Sequence, residues 1–168
     1  MNRPLVSVIM PVYNGEKYIK RAVESVYEQG ISLELLVIDD GSTDGTEEVL
    51  SAYEGREDFR YIKNKENMGA ARSRNRGVQE AVGEYVAFLD ADDWWDRGKL
   101  KEQLGILEKT GLVMCSTGRE LMKADGSDTG RYIPVREKIR YRDLLKHNCI
   151  NCSSVLIRRE AALEFPME

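Results

Sequence analysis

Three aspartates, Asp90, Asp92 and Asp93, directly follow the apolar run at residues 85–89. Such a run predicts a buried strand, and a carboxylate at its end cannot point into the core without a large desolvation cost. Side chains at i and i+2 of an extended segment lie on the same side, so Asp90 and Asp92 can hold one hard divalent cation together with phosphate oxygens. The alternative is a strand that ends in a polar turn, and this motif alone leaves both open.

The composition of the chain limits the classes of protein to consider. Its 168 residues are 42% hydrophobic and 32% charged, which is typical of about one soluble domain. The formal net charge of -4 argues against nucleic acid as a partner, so bound phosphate would need local positive charge. No apolar run approaches the roughly 18 residues of a membrane helix, and the first residues lead into a strand, so the sequence predicts a cytoplasmic protein.

The cysteine and histidine content disfavours two further kinds of site. Cys115, Cys149 and Cys152 give an odd count without a second Cys-x-x-Cys pair, so buried free thiols are expected instead of a zinc site. His147 is the only histidine, which excludes mechanisms that need two. Because the chain contains no Gly-x-Ser-x-Gly motif, a serine hydrolase of that type is not expected either.

The aspartates must be positioned by folded elements, and the first half of the chain predicts a largely parallel β-sheet. Short apolar runs alternate with segments of helical period, which is the pattern of βαβ units. Asp44 lies three residues before Glu47, a spacing that resembles a capping box at a helix start. The predicted strands cover residues 6–10, 33–38, 59–62 and 85–89, and the predicted helices end near Gly30, beyond Leu50, before Gly83 and near Gly111.

Beyond Leu112 the pattern is less regular. A strand is expected over 112–115, a hairpin or mobile loop around the turn-rich stretch 124–130, and a short helix over 141–147. A strand over 153–157 and the start of a helix over 159–163 follow. Because no linker, internal repeat or low-complexity tract divides the sequence, a single domain is predicted.

Polar, aromatic and small residues follow four consecutive predicted strands. In a parallel α/β sheet, ligands bind outside the carboxyl ends of the strands. Any one of these groups could be an ordinary turn, but together they predict a shared binding site. The groups are Pro11-Val12-Tyr13-Asn14, Asp39-Asp40, Asn67-Met68-Gly69 and Asp90-Ala91-Asp92.

Two of these groups have a task if the ligand is a nucleoside diphosphate. Tyr13 offers an aromatic face to a base, and Asp39 and Asp40 offer acceptors to a base imide or to ribose hydroxyls. The alternatives are a packing role for the tyrosine and a capping role for the two aspartates.

The predicted helix after Gly69 has features suited to phosphate. Gly69 permits a close approach of the backbone, and Arg72 or Arg74 near the start of the helix can face a diphosphate. A solvated helix face explains such arginines equally well, so the residues alone leave the choice open.

Taken in order, the four groups resemble the motifs of the GT-A glycosyltransferases, specifically glycosyltransferase family 2. The similarity runs from Val6 to Asp93 and includes Arg74-Asn75. It implies an α/β, Rossmann-like GT-A fold with a mostly parallel sheet flanked by helices. It also implies one domain over 1–168, truncated at its C-terminal end, with a nucleotide-binding half over 1–110 and the start of an acceptor half over 111–168.

The resemblance further implies a function. That function is inverting, metal-dependent transfer of a sugar from a nucleotide-diphosphate sugar, expected to be a UDP-sugar, to a cell-surface glycan, lipid or polysaccharide acceptor. Segments beyond this chain would associate with the inner face of the membrane. A non-catalytic nucleotide-binding or scaffold domain is the main alternative. Phosphatases of the haloacid dehalogenase type also place Asp-x-Asp after a strand, but they continue with Thr or Val where Trp94 stands here.

The site residues implied by the resemblance fall on the four groups. Mn²⁺ or Mg²⁺ is expected at Asp90, Asp92 and Asp93, and the neighbouring Asp93 leaves the register of the ligands open by one residue. The cation would neutralise charge on the departing diphosphate. The residues implied to bind the nucleotide are Pro11, Val12, Tyr13, Asn14, Asp39, Asp40, Asn67, Gly69, Arg74, Asp90 and Ala91.

The catalytic base is the part of the family pattern without a match. Members generally carry an acidic pair well after the metal motif, and no such pair follows Asp143. The base is therefore expected beyond Glu168, because Glu160, Glu164 and Glu168 are candidates by charge only, and Glu160 and Glu164 suit an exposed helix face. A positioned base contributes about 10²- to 10⁴-fold in rate, so this chain is expected to bind the donor but to transfer sugar poorly.

Overall fold

A computed structural model describes residues 3–123, 125–136, 139, 141–144, 149–164 and 166–167. Strands and helices alternate through the first part of the chain, as the sequence predicts. None of the described helices is long and apolar enough to span a membrane. The elements are β1 (Val6–Val12), α1 (Ile19–Tyr27), β2 (Leu33–Asp39), α2 (Thr46–Ser51), β3 (Phe59–Lys63), α3 (Ala70–Glu80), β4 (Tyr85–Phe88), α4 (Lys99–Thr110), β5 (Met114–Ser116), β6 (Arg119–Met122), β7 (Asp128–Ile133), α5 (Tyr141–Leu144), a 3₁₀ helix (Cys152–Ser154), β8 (Val155–Arg158) and α6 (Arg159–Glu164).

A six-stranded sheet in the order β3-β2-β1-β4-β8-β5 forms the centre of the fold. β1 pairs in parallel with β2 and β4, and β2 pairs in parallel with β3. β8 pairs antiparallel with both β4 and β5, so residues from 1–110 and from 111–168 share this sheet. The predicted α/β class with a mostly parallel sheet is confirmed.

β1 is buried along its whole length, because helices cover both faces of the sheet. Successive side chains of a strand point to opposite faces. Val8 and Met10 belong to the core cluster that α1 and α4 complete, whereas Ile9 belongs to a second cluster with Val78 of α3. The loop after β1 therefore starts from a strand that helices cover on both faces.

The second half of the chain differs in detail from the predicted elements. The turn-rich stretch is a hairpin of β6 and β7, although Ala124 lies outside the described residues. β5 begins at Met114 instead of 112, and β8 begins at Val155 instead of 153. The predicted helix 141–147 is described only as α5, and His147 lies outside the described residues. The three cysteines are free, but they are half-buried instead of buried.

The capping box predicted from Asp44 and Glu47 is wrong. Asp44 Oδ1 accepts the amide of Thr46, the first residue of α2, at 3.1 Å, and its Oδ2 accepts the Glu16 amide at 3.1 Å. Glu47 forms an ion pair with Lys63 of β3. Asp44 therefore connects the loop after β2 to the turn after β1. Glu47 connects α2 to β3, the edge strand of the sheet.

Candidate functional site

A cavity of about 360 Å³ opens at the carboxyl ends of β1 and β4. The strand order reverses between β1 and β4, which is where open α/β sheets bind ligands. Most residues predicted for the site lie in the wall of this cavity, but Asp39, Asn67, Gly69 and Asp93 do not. The wall consists of Pro11, Val12, Tyr13, Asn14, Gly15, Tyr18, Asp40, Ala70, Arg74, Asp90, Ala91 and Asp92.

The turn after β1 presents Tyr13 in this wall. Asn14 adopts the left-handed conformation with φ of 54°, which asparagine tolerates better than most residues. Its amide donates to Ser42 Oγ at 2.9 Å, and its Oδ1 accepts the Thr43 amide at 2.8 Å. These bonds fasten the turn to the loop after β2, while Tyr13 stays 52% exposed.

Asp39 is the last residue of β2 and is fully buried. Its Oδ1 accepts the Ser42 amide at 2.8 Å, and its Oδ2 accepts the Tyr61 hydroxyl. Burial, followed by the hydrogen bond and charge of Asp39, raises the pKa of Tyr61. Both oxygens of Asp39 thus have donors within the protein, and a contact between Asp39 and a base stays a prediction.

Asp40 joins the end of β2 to the loop before α3. It is 3% exposed and accepts hydrogen bonds from Asn64 Nδ2 at 2.8 Å, the Met68 amide at 3.0 Å and the Gly69 amide at 2.7 Å. Burial by itself raises the pKa of Asp40, but the bonds from Met68, Asn64 and Gly69 outweigh it and hold the pKa below its usual value. Asn67 Oδ1 also accepts the Gly69 amide, at 3.1 Å. Asn67 and Gly69 therefore belong to a loop that Asp40 organises.

Arg74 brings a positive charge to the acidic side of the cavity. Its side chain, on α3, is 13% exposed, and its Nη2 donates to Asp90 Oδ1. Arg74 Nε is buried and has no hydrogen-bond partner among the described residues. A buried donor without an acceptor is costly. Arg72 is exposed and lies outside the wall.

The acidic segment after β4 turns Asp92 and Asp93 to different surroundings. Asp92 is exposed in the cavity wall, whereas Asp93 is half-buried outside it. Burial raises the pKa of Asp93, a hydrogen bond with Ser153 opposes that rise, and the charges of Asp92 and Asp90 add to it. Within the acidic segment, Asp90 and Asp92 are thus the carboxylates that line the cavity.

These two carboxylates fit a cation that is shared with a substrate. The described part of the chain contains no group of three or more His, Cys, Asp or Glu side chains arranged to hold a metal. Mg²⁺ is commonly bound by one or two carboxylates, with phosphate oxygens and water completing its shell. Asp90 and Asp92 match that partial donor set, so the fit depends on a bound diphosphate.

The sequence does not single out three residues of the wall, Gly15, Tyr18 and Ala70. A Cβ at Gly15 would lie 2.5 Å from Val12 Cγ2, so only glycine allows this turn to pack so closely. Tyr18 precedes α1 and is 43% exposed. Its signal in the sequence is its short separation from Tyr13, which brings a second aromatic ring to the end of β1. Ala70 is the first residue of α3 and carries no chemical signal.

Comparison with known sequences gives consistent relatives. A Bacillus subtilis relative named for teichuronic acid biosynthesis is 40% identical over 167 residues, which are 98% of this chain and 66% of that protein. An Escherichia coli relative, named UDP-Glc:alpha-D-GlcNAc-diphosphoundecaprenol beta-1,3-glucosyltransferase, is 36% identical over 161 residues, which are 95% of this chain and 62% of that protein. The chain therefore spans less than two thirds of the length of these relatives.

Comparison with solved structures shows the same fold. Staphylococcus aureus TarS 1–349 in complex with UDP-GlcNAc matches with a TM-score of 0.75 at 24% identity, over 95% of this chain and 46% of that one. A mannosyltransferase from Pyrobaculum calidifontis in complex with GDP-Man and Mn²⁺ matches with a TM-score of 0.72 at 24% identity, over 98% of this chain and 47% of that one. The family model described as Glycosyl transferase family 2 matches residues 7–165. The chain belongs to glycosyl transferase family 2.

Proposed function

We propose that this chain forms the donor-binding part of a metal-dependent, inverting glycosyltransferase that transfers sugar from a UDP-sugar to a lipid-linked or cell-surface glycan. The observation that carries the proposal is one cavity in which an exposed tyrosine, an arginine and the two carboxylates of Asp90 and Asp92 meet. An aromatic face suits a base, a guanidinium suits a diphosphate, and paired carboxylates suit a cation. A nucleotide-diphosphate sugar with its metal ion uses all three.

In this proposal the base lies against the turn after β1. Tyr13 stacks on it, and Pro11 and Val12 form the apolar side of the pocket. Asp39 and Asp40 support the pocket through the loops that they hold, since their oxygens accept protein hydrogen bonds. A direct contact of Asp39 with the base stays part of the proposal. Asn14, Asn67 and Gly69 act in the same indirect way.

The diphosphate lies against α3 and the acidic segment. Arg74 lines the cavity and donates to the diphosphate, because a guanidinium suits the oxygens of such a group. When bound at Asp90 and Asp92, Mn²⁺ or Mg²⁺ neutralises the charge on the departing diphosphate. Ala91 lies between these two residues in the cavity wall, and its small side chain leaves room for the ligand.

The relatives support the proposed donor and acceptor. A UDP-sugar is supported by a relative named as a UDP-Glc transferase, although one similar structure holds GDP-Man. A lipid-linked or cell-wall acceptor is supported by relatives named for a diphosphoundecaprenol substrate and for teichuronic acid, and it would place the reaction at the inner face of the membrane. We propose that the general base lies beyond Glu168, since these relatives are longer than the matched region.

Calorimetric titration of UDP, GDP, TDP and CDP, each with Mn²⁺ and with EDTA, tests the donor site. We expect UDP to bind more tightly with Mn²⁺ than without it, and to raise the unfolding free energy by about 2.7 kcal/mol at 100 times its dissociation constant. If no nucleotide binds in a metal-dependent way, the proposal is wrong. If UDP binds but a longer form of the protein transfers no sugar to any lipid-linked acceptor, the chain is a non-catalytic nucleotide-binding domain.

A further inference from the structure

Ser153 connects the acidic segment to the second half of the chain. It lies in the 3₁₀ helix before β8 and is 7% exposed. Its Oγ accepts the amide of Asp90 at 3.1 Å, and its carbonyl accepts Trp95 Nε1 at 2.6 Å. Its own amide donates to Asn151 Oδ1 at 2.7 Å. The residue is therefore fixed by its own turn and bonds to both ends of the segment 90–95.

The hydroxyl of Ser153 also acts on Asp93, because it lowers the pKa of that carboxyl against the effect of burial. A hydroxyl oxygen that accepts one hydrogen bond still has a proton to donate. Since Oγ accepts from the Asp90 amide, that proton is available to stabilise the charged Asp93 carboxylate. One buried side chain thus holds the backbone at the start of the acidic turn and favours the charged form of the carboxylate at its end. The turn is closed by a bond of 3.0 Å from the Asp93 amide to the Asp90 carbonyl.

This arrangement decides which carboxylates face the cavity. Asp93 lies outside the cavity wall, on the side of Ser153, while Asp90 and Asp92 line it. Without the hydroxyl, the Asp90 amide would lose its acceptor and the half-buried Asp93 carboxylate would lose a stabilising group, so the best alternative for Asp93 is the solvated side of the turn where Asp92 lies. Three carboxylates would then compete for the same space.

We infer that Ser153 is a positioning residue that sets the register of the acidic segment, so that Asp90 and Asp92, and not Asp93, are presented to the cation. The inference rests on the proposed function, because the cation is part of that proposal. Ser153 acts through Asp90 and Asp93, since it does not line the cavity itself. Outer partners that orient metal ligands typically change metal affinity by about 10- to 100-fold when they are removed.

The test compares Ser153→Ala with Ser154→Ala, an equally buried serine of the same turn. Ser154 is 5% exposed, and its Oγ donates to the Asn151 carbonyl at 2.6 Å instead of contacting the acidic segment. UDP binding is measured by calorimetry over a series of Mn²⁺ concentrations. We expect Ser153→Ala to raise the half-saturating Mn²⁺ concentration about tenfold, with UDP affinity in EDTA unchanged. Ser154→Ala is expected to leave both values at those of the wild type.

Two further variants separate positioning from folding. Ser153→Thr keeps the hydroxyl and is expected to restore the Mn²⁺ dependence. Asp93→Ala removes the competing carboxylate, so combining it with Ser153→Ala is expected to recover most of the lost Mn²⁺ affinity, a coupling that a stability defect alone would not produce.

The outcomes distinguish this inference from the proposed function. If the wild type binds UDP with Mn²⁺ and Ser153→Ala matches it, or if Ser154→Ala is impaired equally, the positioning role is wrong while the donor site stands. If the wild type shows no metal-dependent nucleotide binding at all, the proposed function fails and takes this inference with it.

Discussion

The acidic ends of β2 and β4 look alike in sequence but differ in structure. Asp39 and Asp40 are 0% and 3% exposed, and both accept hydrogen bonds from protein donors. At the end of β4, Asp92 is exposed in the cavity wall, and Asp90 is paired with Arg74. A carboxylate that accepts hydrogen bonds from the protein holds the loops of the site in place. A carboxylate that is open to solvent is available to a ligand. Mutations at the two ends should therefore affect different properties.

The largest effect is expected from Asp40→Ala at the end of β2. The change removes the carboxylate that accepts hydrogen bonds from Asn64 Nδ2 and from the amides of Met68 and Gly69. Since one hydrogen bond contributes on the order of 1 kcal/mol, the loss of these bonds should lower the free energy of unfolding by about 3 kcal/mol. Urea denaturation measures this change, and a loss below about 0.5 kcal/mol, the range of ordinary surface substitutions, would contradict the comparison.

The charge of Asp40 gives the same end of the sheet a pH dependence. Because the pKa of Asp40 is lower in the folded state than the ordinary value near 3.9, its stabilisation is present above that pH and is lost as the pH falls through the folded pKa. Asp40→Asn lacks this contribution. The difference in unfolding free energy between wild type and Asp40→Asn should therefore shrink as the pH is lowered from about 5 towards 3. A constant difference would show that the charge of Asp40 does not matter.

The next effect is expected at the open end. Asp92→Asn removes a charge from the cavity wall without removing a protein hydrogen bond that the structure shows. We expect Mn²⁺ to stop increasing the affinity for UDP, while the unfolding free energy changes by less than about 0.5 kcal/mol. The matched control is Asp96→Asn, an exposed aspartate nearby that lies outside the cavity wall. Equal effects of the two variants on Mn²⁺ dependence would remove Asp92 from the ligand set.

Arg74→Ala is expected to act on both the nucleotide and the acidic end. Loss of a charge-assisted hydrogen bond to phosphate corresponds to about 10-fold or more in affinity for UDP. Asp90 loses its ion-pair partner at the same time, so Mn²⁺ should bind more readily in the absence of nucleotide. Calorimetry with UDP and with Mn²⁺ alone measures the two effects. Arg72→Ala, which removes an exposed arginine of the same helix, should change neither.

The parallel part of the fold could be predicted because its information is local. Each strand from β1 to β4 is a short apolar run, and each is followed by turn residues and a helix of regular period. The insertion of β8 between β4 and β5 could not be predicted, since it depends on pairing between distant segments. The same limit applies to the two acidic ends. Asp40 differs from Asp92 because Asn64, Met68 and Gly69 donate hydrogen bonds to it, and the sequence around Asp40 does not indicate these contacts.

The acidic segment is a second case in which contacts between distant residues decide what the local sequence leaves open. Asp92 and Asp93 are neighbours of the same type, so the sequence leaves open which of them faces the cavity. We infer that they are separated by Ser153, far along the chain, which accepts the Asp90 amide and favours the charged form of Asp93. Of the cavity-wall residues that the motifs do not include, Tyr18 could have been predicted from its short separation from Tyr13, whereas Ala70 could not.

The smallest effect is expected from Tyr13, which tests whether the base end of the cavity is independent of both acidic ends. Tyr13→Ala removes an aromatic face that is 52% exposed, and stacking of this kind is worth about 0.5 to 1.5 kcal/mol, or roughly 2- to 10-fold in affinity. Tyr13→Phe keeps the ring and should bind UDP as the wild type does. Since Tyr13 makes no contact with the acidic segment in the described hydrogen bonds, the Mn²⁺ dependence should be unchanged in both variants. A loss of Mn²⁺ dependence in Tyr13→Ala would mean that the turn after β1 and the acidic segment move together, and the division into separate base and metal ends would have to be abandoned.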